Sequence, residues 1–465
     1  MFDIFEMASQ LDFIQIGIAF VLIITLIFLV LEKGDKIVVS MAGAGAALLL
    51  GIIPKGPAGE VIVEDINVLL HFEEPDLMFI IIGMTILVSI TAKTGIFEYL
   101  ALRILKASNG NLTRLLFYLS LLTMVFAAFL DAFMAILIIG TITLVSCNAM
   151  FRESDNEPVN PKPFIIAEVL FSNIGGMLTR IASPPNLILG AHFNLNFLEF
   201  SLVMFPVVSL TAIATFFILK VIFAKDLSVK LSSASIKQMA LLDEKQVIRD
   251  PVLFRRGAII MVLTILGFLL TSFIPPAFKI ELGYIAMAGG FLAVALVSGE
   301  TAEEALHEVE WGLVFFYAGL LTVVGIAESA HVLDPVVLPI ETIFGFNPFI
   351  GLFIIVLLNT VASSFLDNIP MAAVMTGVID SLTEELGINP KPLIWGAVIG
   401  TNTGGNITPI ASASGVQAVE MLNRESDKSR HVSFFQFMKI GLLVAIFPVI
   451  IGTIYVIGLA TLVYW

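Results

Sequence analysis

The stretch "SNIGGMLTRIASPPN" (residues 172–186) breaks an apolar segment with two glycines, two prolines and several polar side chains. In lipid every backbone N–H and C=O must be satisfied internally, so non-helical backbone at membrane depth survives only where protein buries it or it lines a wet cavity. The same stretch returns 229 residues later as "TNTGGNITPIASASG" (401–415). The copies agree at Asn173/Asn402, Gly175/Gly404, Gly176/Gly405, Thr179/Thr408, Ile181/Ile410, Ala182/Ala411 and Ser183/Ser412. A second pair lies upstream of each, "AAFLDAFMA" (127–135) and "SSFLDNIPM" (363–371), at an offset of 236. The chain is a duplicated unit, each copy carrying one broken segment and one Asp-centred motif.

Composition says what surrounds these breaks. With 58% hydrophobic and 13% charged residues over 465 positions, and a mean hydropathy of +1.01, there is too little polar surface to coat a soluble globule of this size. Apolar runs near the spanning length of about 20 residues recur from end to end. The chain reads as an all-α, multi-pass protein of the plasma (inner) membrane, with lipid as its surroundings. The acidic start "MFDIFEMASQLDF" does not suit a signal peptide, so the first run is expected to remain as a span. The single cysteine, Cys147, leaves no internal disulfide and reads as a small packing residue. A net charge of −14 argues against nucleic acid as a partner.

Basic residues favour cytoplasmic loops. Lys33 and Lys36, then Lys93 to Arg114, Arg152 and Lys162, the segment 225–256, and Arg424 to Arg430 mark five of them. The acidic stretch 55–76 fits the outside. Spans at 12–31, 36–54 and 77–95 then alternate from an external N-terminus. Basic residues at both ends of 113–148 call for a hairpin that enters and leaves on one side. A broken crossing at 163–196 and a return at 198–224 complete the first repeat, 1–224. Five crossings is an odd number, so the second copy is inverted. After a cytoplasmic linker, 225–256, the second repeat, 257–465, holds spans within 257–330 (257–274, 281–299 and 311–330), a hairpin at 349–385, a broken crossing at 392–422 and a last span at 432–463. The expectation is about ten transmembrane helices, two re-entrant hairpins and two broken helices. In secondary transporters, inverted repeats with interrupted helices build a midplane site from half-helix ends and exposed carbonyls.

The pattern "FLDN" in a hairpin followed by "AEVLFSNIGG…T.I..PPN" resembles the ion transporter superfamily that holds NhaD-type sodium/proton antiporters, arsenite efflux permeases, the melanosomal P protein and citrate transporters. The resemblance covers nearly the whole chain. It implies a scaffold formed by the first three spans of each repeat, often dimeric, so a homodimer is expected. It also implies a mobile transport domain of hairpins and broken helices, working by elevator-like alternating access. The chain departs from the family pattern at Ala132, where an Asn is usual, at Ala182-Ser183, where relatives read Gly-Asp, and at Arg180, where a neutral residue is usual.

A carboxylate at the bilayer centre is costly and functional by default, which singles out Asp131 and Asp367 for ion or proton coupling. Each could instead cap the second arm of its hairpin. Asn368 gives Asp367 a neighbouring oxygen donor that Ala132 denies Asp131, so Na⁺ is assigned to Asp367, Asn368 and Asn402, and protonation to Asp131. Glu168, whose repeat counterpart is Ala397, is a second proton candidate or a partner for Arg180. Arg180 could hold an anion, act as a tethered cation, or pair permanently with Asp131 or Glu168. Asn173, Thr179, Ser183, Asn402, Thr403, Thr408 and Ser412, with Asn406 and Ser414, offer neutral oxygens suited to an alkali cation. Gly175, Gly176, Gly404 and Gly405 are expected to allow positive φ and close approach, and Pro184 and Pro185 to hold the break open. The five histidines, His71, His192, His307, His331 and His431, show no metal-ligand spacing.

No nucleophile–base constellation or P-loop is present, so the chain reads as a transporter with no cofactor, not an enzyme. The favoured reading is sodium/proton antiport. The alternative is a Na⁺- or H⁺-coupled anion carrier or an arsenite-type oxyanion permease.

Overall fold

The computed structural model describes residues 13–31, 33–53, 61–62, 75–241, 243–275, 278, 280–299 and 301–464. The acidic N-terminal residues, most of the acidic stretch 55–76 and His71 lie outside the described residues. Eighteen principal helices fall into two series of nine. The first runs α1 (Phe13–Val30), α2 (Lys36–Gly51), α3 (Pro75–Lys93), α4 (Ile96–Ala107), α5 (Leu112–Leu130), α6 (Ala132–Ala149), α7 (Lys162–Gly176), α8 (Pro184–His192) and α9 (Phe197–Ile222). The second runs α10 (Pro251–Thr271), α11 (Leu282–Ala293, prolonged by a π-helical turn Val294–Ser298), α12 (Trp311–Ser329), α13 (Asp334–Phe346), α14 (Pro348–Ser363), α15 (Asn368–Leu386), α16 (Lys391–Gly404), α17 (Ala413–Asn423) and α18 (Phe434–Leu459). Among the described residues seven helices are long and apolar enough to cross a membrane, and shorter apolar helices lie among them.

Packing repeats along with the order. The most extensive contacts are α3 with α11, α2 with α12, α5 with α7 and α14 with α16, which form two pairs of repeat images. Small residues make the close approaches, as van der Waals packing in membranes requires. A side chain at Gly83 would strike the Ala286 backbone, and one at Gly319, its image, would strike Ser40. The two groups that result are α1–α3 with α10–α12, and the hairpins with the broken helices.

Within the second group the repeats interlock. The second hairpin arm α6 packs on α17, and its image α15 packs on α8, so each hairpin seats the far half of the other repeat's broken helix. The α5–α6 hairpin turns at one residue, Asp131, with φ 102°. Leu115 and Leu119 share a small cavity with Ser146, Cys147 and Met150, which brings its outer ends together.

Two helices go beyond the sequence reading. α4 buries Phe97, Ala101 and Leu105 on one face, and α13 buries Val337, Ile340 and Phe344. Both touch both arms of their own hairpin. Each is short, amphipathic and follows a span after a brief turn, so a search for long apolar runs passes over it. The linker also carries short helices, Ala224–Leu227 and Ser233–Leu241, and it meets the loop after α6 through an isolated bridge between Arg152 and Leu231.

Candidate functional site

A cavity of about 380 Å³ lies where the hairpin tips and helix breaks face α3 and α12. The first turns of α6, α8, α15 and α17 all line it, through Asp131, Ser183, Asp367 and Ser412 at their starts. Helix starts expose unpaired N–H groups and the positive end of the dipole. The duplicated motifs therefore converge on one volume.

The asparagines that recur in the two copies, Asn173 and Asn402, hold the two breaks to each other. Asn173 Nδ2 donates to the Gly405 carbonyl at 3.0 Å and to Asn406 Oδ1 at 2.9 Å, and Asn173 Oδ1 accepts from Ser414 Oγ at 3.2 Å. From the other side, Asn402 Nδ2 donates to Asn186 Oδ1 at 2.9 Å and Asn402 Oδ1 accepts from Ser183 Oγ at 3.0 Å. Ser412 Oγ donates to the Gly405 carbonyl at 3.2 Å. Asn173, Ser183, Asn402, Ser412 and Ser414 all border the cavity.

Thr179 and Thr408 do not line it. Thr179 Oγ1 donates to the Ala128 carbonyl and Thr408 Oγ1 to the Ser364 carbonyl, both at 2.5 Å. Each satisfies a carbonyl at the end of its hairpin's first arm, where intrahelical partners run out. Thr403 is buried away from the cavity, its hydroxyl without a partner among the described residues. Gly175, Gly176, Gly404 and Gly405 do not adopt positive φ. Positive φ is not what these glycines supply, but close approach holds for two of them: a side chain at Gly175 would meet the Met124 carbonyl, and one at Gly404 would sit 2.7 Å from the Thr360 carbonyl. Pro184 and Pro185 open α8, where a missing N–H costs nothing.

The two aspartates occupy equivalent positions and behave differently. Asp131 Oδ2 accepts from the Phe133 and Met134 amides at 2.9 and 3.4 Å, capping α6. Asp367 makes no side-chain cap on α15. Its Oδ2 instead lies 2.9 Å from Lys36 Nζ at the start of α2. Asn368 lines the cavity beside it and accepts from Ser363 Oγ at 2.6 Å.

Arg180 pairs with neither Asp131 nor Glu168. Its Nη2 lies 3.2 Å from Asp76 Oδ2 at the start of α3, and its Nη1 donates to the Leu195 carbonyl at 3.1 Å. The Gly283 amide also donates to Asp76. Glu168 is fully buried outside the cavity lining, accepts from Thr143 Oγ1 at 2.6 Å, and keeps its second oxygen unpartnered among the described residues.

Sequence reading missed Lys36, Glu310 and Tyr317, which line the cavity from α2, the residue before α12, and α12. Tyr317 is fully buried, its hydroxyl unpartnered among the described residues and within electrostatic reach of Asp367, Asp131 and Glu310. Lys36 served only as a loop marker. The one available signal for it was its position in the first turn of a span. Among the described residues the cavity wall thus bears three carboxylates, Asp131, Glu310 and Asp367, and one ammonium, Lys36.

Comparison with known proteins gives the site its context. The model of a family described as citrate transporter matches residues 26–400 and, in a second overlapping match, 325–464. An uncharacterized transporter of Mycobacterium tuberculosis is 29% identical over 91% of this chain and 94% of its own. The mouse P protein is 26% identical over 94% of this chain, which spans 59% of that protein. Among solved structures, MtrF of Neisseria gonorrhoeae, described as illuminating a class of antimetabolite efflux pumps, aligns over 94% of both chains with a TM-score of 0.52 and 14% identity, a likeness of fold alone.

Proposed function

We propose, from the premise that this chain belongs to the citrate transporter family, that it is a secondary transporter exchanging Na⁺ for H⁺ through the cavity between the two helix groups. One observation carries the choice of a cation: among the described residues three carboxylates and one lysine line the cavity, while Arg180 is engaged outside it by Asp76. A wall of that sign attracts cations and repels carboxylate substrates. Asp367 is the cation ligand in this reading, with Asn368 and Asn402 beside it. Asp131 is the proton site, and Glu168 a second one behind the lining. The hairpins and broken helices move as a body against α1–α3 and α10–α12. The working unit is a homodimer in the plasma membrane.

A second reading has its own support. The starts of α8 and α17 open onto the same cavity with Ser183 and Ser412, and Lys36 lines it too. Such ends suit a carboxylate, in keeping with the family's description. Purified protein in liposomes with an internal pH dye, challenged in turn with Na⁺, Li⁺, K⁺, citrate and arsenite, separates the two. Proton movement driven by Na⁺ alone is the expected outcome. Anion uptake that requires Na⁺ or H⁺ would replace the first reading with the second.

A further inference from the structure

We infer that Lys36 is a built-in competitor for the transported cation at Asp367, holding the carboxylate when no ion is bound and leaving when one arrives. The inference rests on the cation reading above and adds to it a residue that decides affinity and links binding to movement.

The ammonium lies 2.9 Å from Asp367 Oδ2, so an incoming cation meets a ligand oxygen that is already occupied. The pair is not a sealed structural tie. The two side chains are 45% and 29% exposed, and both residues border the cavity. Exposed pairs of this kind contribute little to stability, so a solute ion can compete. Asp367 also gives no oxygen to the start of its own helix, in contrast to Asp131. Its carboxylate can therefore change partners without uncapping α15.

Lys36 is suited to leave and return. It stands in the first turn of α2, where the helix dipole repels a cation, although the carboxylate of Asp35 offsets part of that repulsion by capping the Ile37 and Val38 amides. Its flexible four-carbon stem lets the charge swing without backbone movement. Asp131, Glu310 and Tyr317 face the same volume, so the site keeps its attraction for a cation after the ammonium withdraws. The pair also joins α2 of one helix group to the hairpin of the other, and displacing Lys36 cuts that tie. Cation binding would thus loosen the hairpin at the moment the site fills.

Saturable ²²Na⁺ binding to the purified full-length chain tests this. Lys36→Gln should tighten the apparent Kd about two- to fivefold, the span expected for losing a partly exposed ion pair. Lys36→Arg, which keeps the charge, should stay near the wild type, and Asp367→Asn should bind no Na⁺. A wild-type Kd in Lys36→Gln, with Asp367→Asn inactive, removes the competitor and leaves the cation reading standing. Equal tightening in Lys36→Arg also overturns the proposal, because the charge would not be the cause. Absence of Na⁺ binding to the wild type sinks both readings. A second readout needs no variant: Na⁺ should increase acylation of Lys36 by an amine reagent, followed by peptide mass spectrometry. Labelling that ignores Na⁺ contradicts the proposal.

Discussion

Two ion pairs join the same two helix groups, and their lengths hardly differ. Arg180–Asp76 measures 3.2 Å and Lys36–Asp367 2.9 Å. Their surroundings differ greatly. The Arg180 and Asp76 side chains are 9% and 6% exposed, with the Leu195 carbonyl accepting from Arg180 and the Gly283 amide donating to Asp76. The Lys36 pair stands in an open cavity. Desolvation, not distance, decides what each pair does. A buried charge that loses its partner stays buried and uncompensated, whereas a wet one is rescued by water or by an ion. The first pair is a fixed closure and the second is exchangeable.

The largest effect is expected from breaking the sealed pair. Asp76→Asn breaks the buried pair with Arg180 and should destabilise the protein by up to about 3–5 kcal/mol, read as a lowered thermal midpoint in detergent. Asp76→Asn with Arg180→Gln should recover part of that loss. A single variant as stable as the wild type would mean the two pairs are alike.

Next come the threonines that tie each break to its hairpin. Thr179→Val and Thr408→Val each remove one hydrogen bond and leave a buried carbonyl unsatisfied, at a cost of about 1–3 kcal/mol. Because the two bonds are repeat images outside the cavity lining, the losses should be similar and ion affinity should stay unchanged. A shifted affinity in either variant would move that threonine into the site.

Breaking the wet pair should barely register in stability. Lys36→Gln is expected to alter unfolding by no more than about 1 kcal/mol. A loss on the scale of Asp76→Asn would contradict its exchangeable character.

The smallest effect is electrostatic and lies outside the spans. Hydrogen bonds from Ser89 and Lys93 hold the Glu308 carboxyl below its ordinary value of 4.5. Its stabilising contribution is therefore complete above that value and fades as pH falls through the lower folded value. Screening keeps it under about 1 kcal/mol. Thermal midpoints of Glu308→Gln and wild type should converge in acid, and a constant gap across pH would refute the assignment.

The architecture was legible where chemistry was duplicated. Helix breaks at 172–186 and 401–415 show in the sequence because glycine, proline and hydroxyls are costly in lipid and appear twice in register. The hairpins show because a single Asp interrupts an apolar run in each. The helices α4 and α13 were hidden, since "IFEYLALRILKA" and "DPVVLPIETIFGF" carry charges or prolines and no long apolar run. Pairings were hidden for a different reason. Asp76 is 104 residues from Arg180 and Lys36 is 331 from Asp367, separations at which periodicity says nothing. Asp76 closed an acidic stretch that read as a loop, and Lys36 looked like an ordinary basic flank. Of the two reasons the glycines suggested, close approach holds and positive φ does not, because steric room against a neighbouring carbonyl cannot be told from positive φ without coordinates.

Asp131 and Asp367 extend the comparison of fixed with exchangeable groups to the repeat itself, since one carboxylate caps its own helix and the other faces a displaceable ammonium. The most direct measurement is Na⁺-driven proton movement in proteoliposomes across pH for Asp367→Asn and Asp131→Asn. Asp367→Asn should abolish it. Asp131→Asn, in which asparagine still caps α6, should keep measurable exchange with an altered pH dependence. Normal transport by Asp367→Asn, or complete loss in Asp131→Asn alone, would contradict the account.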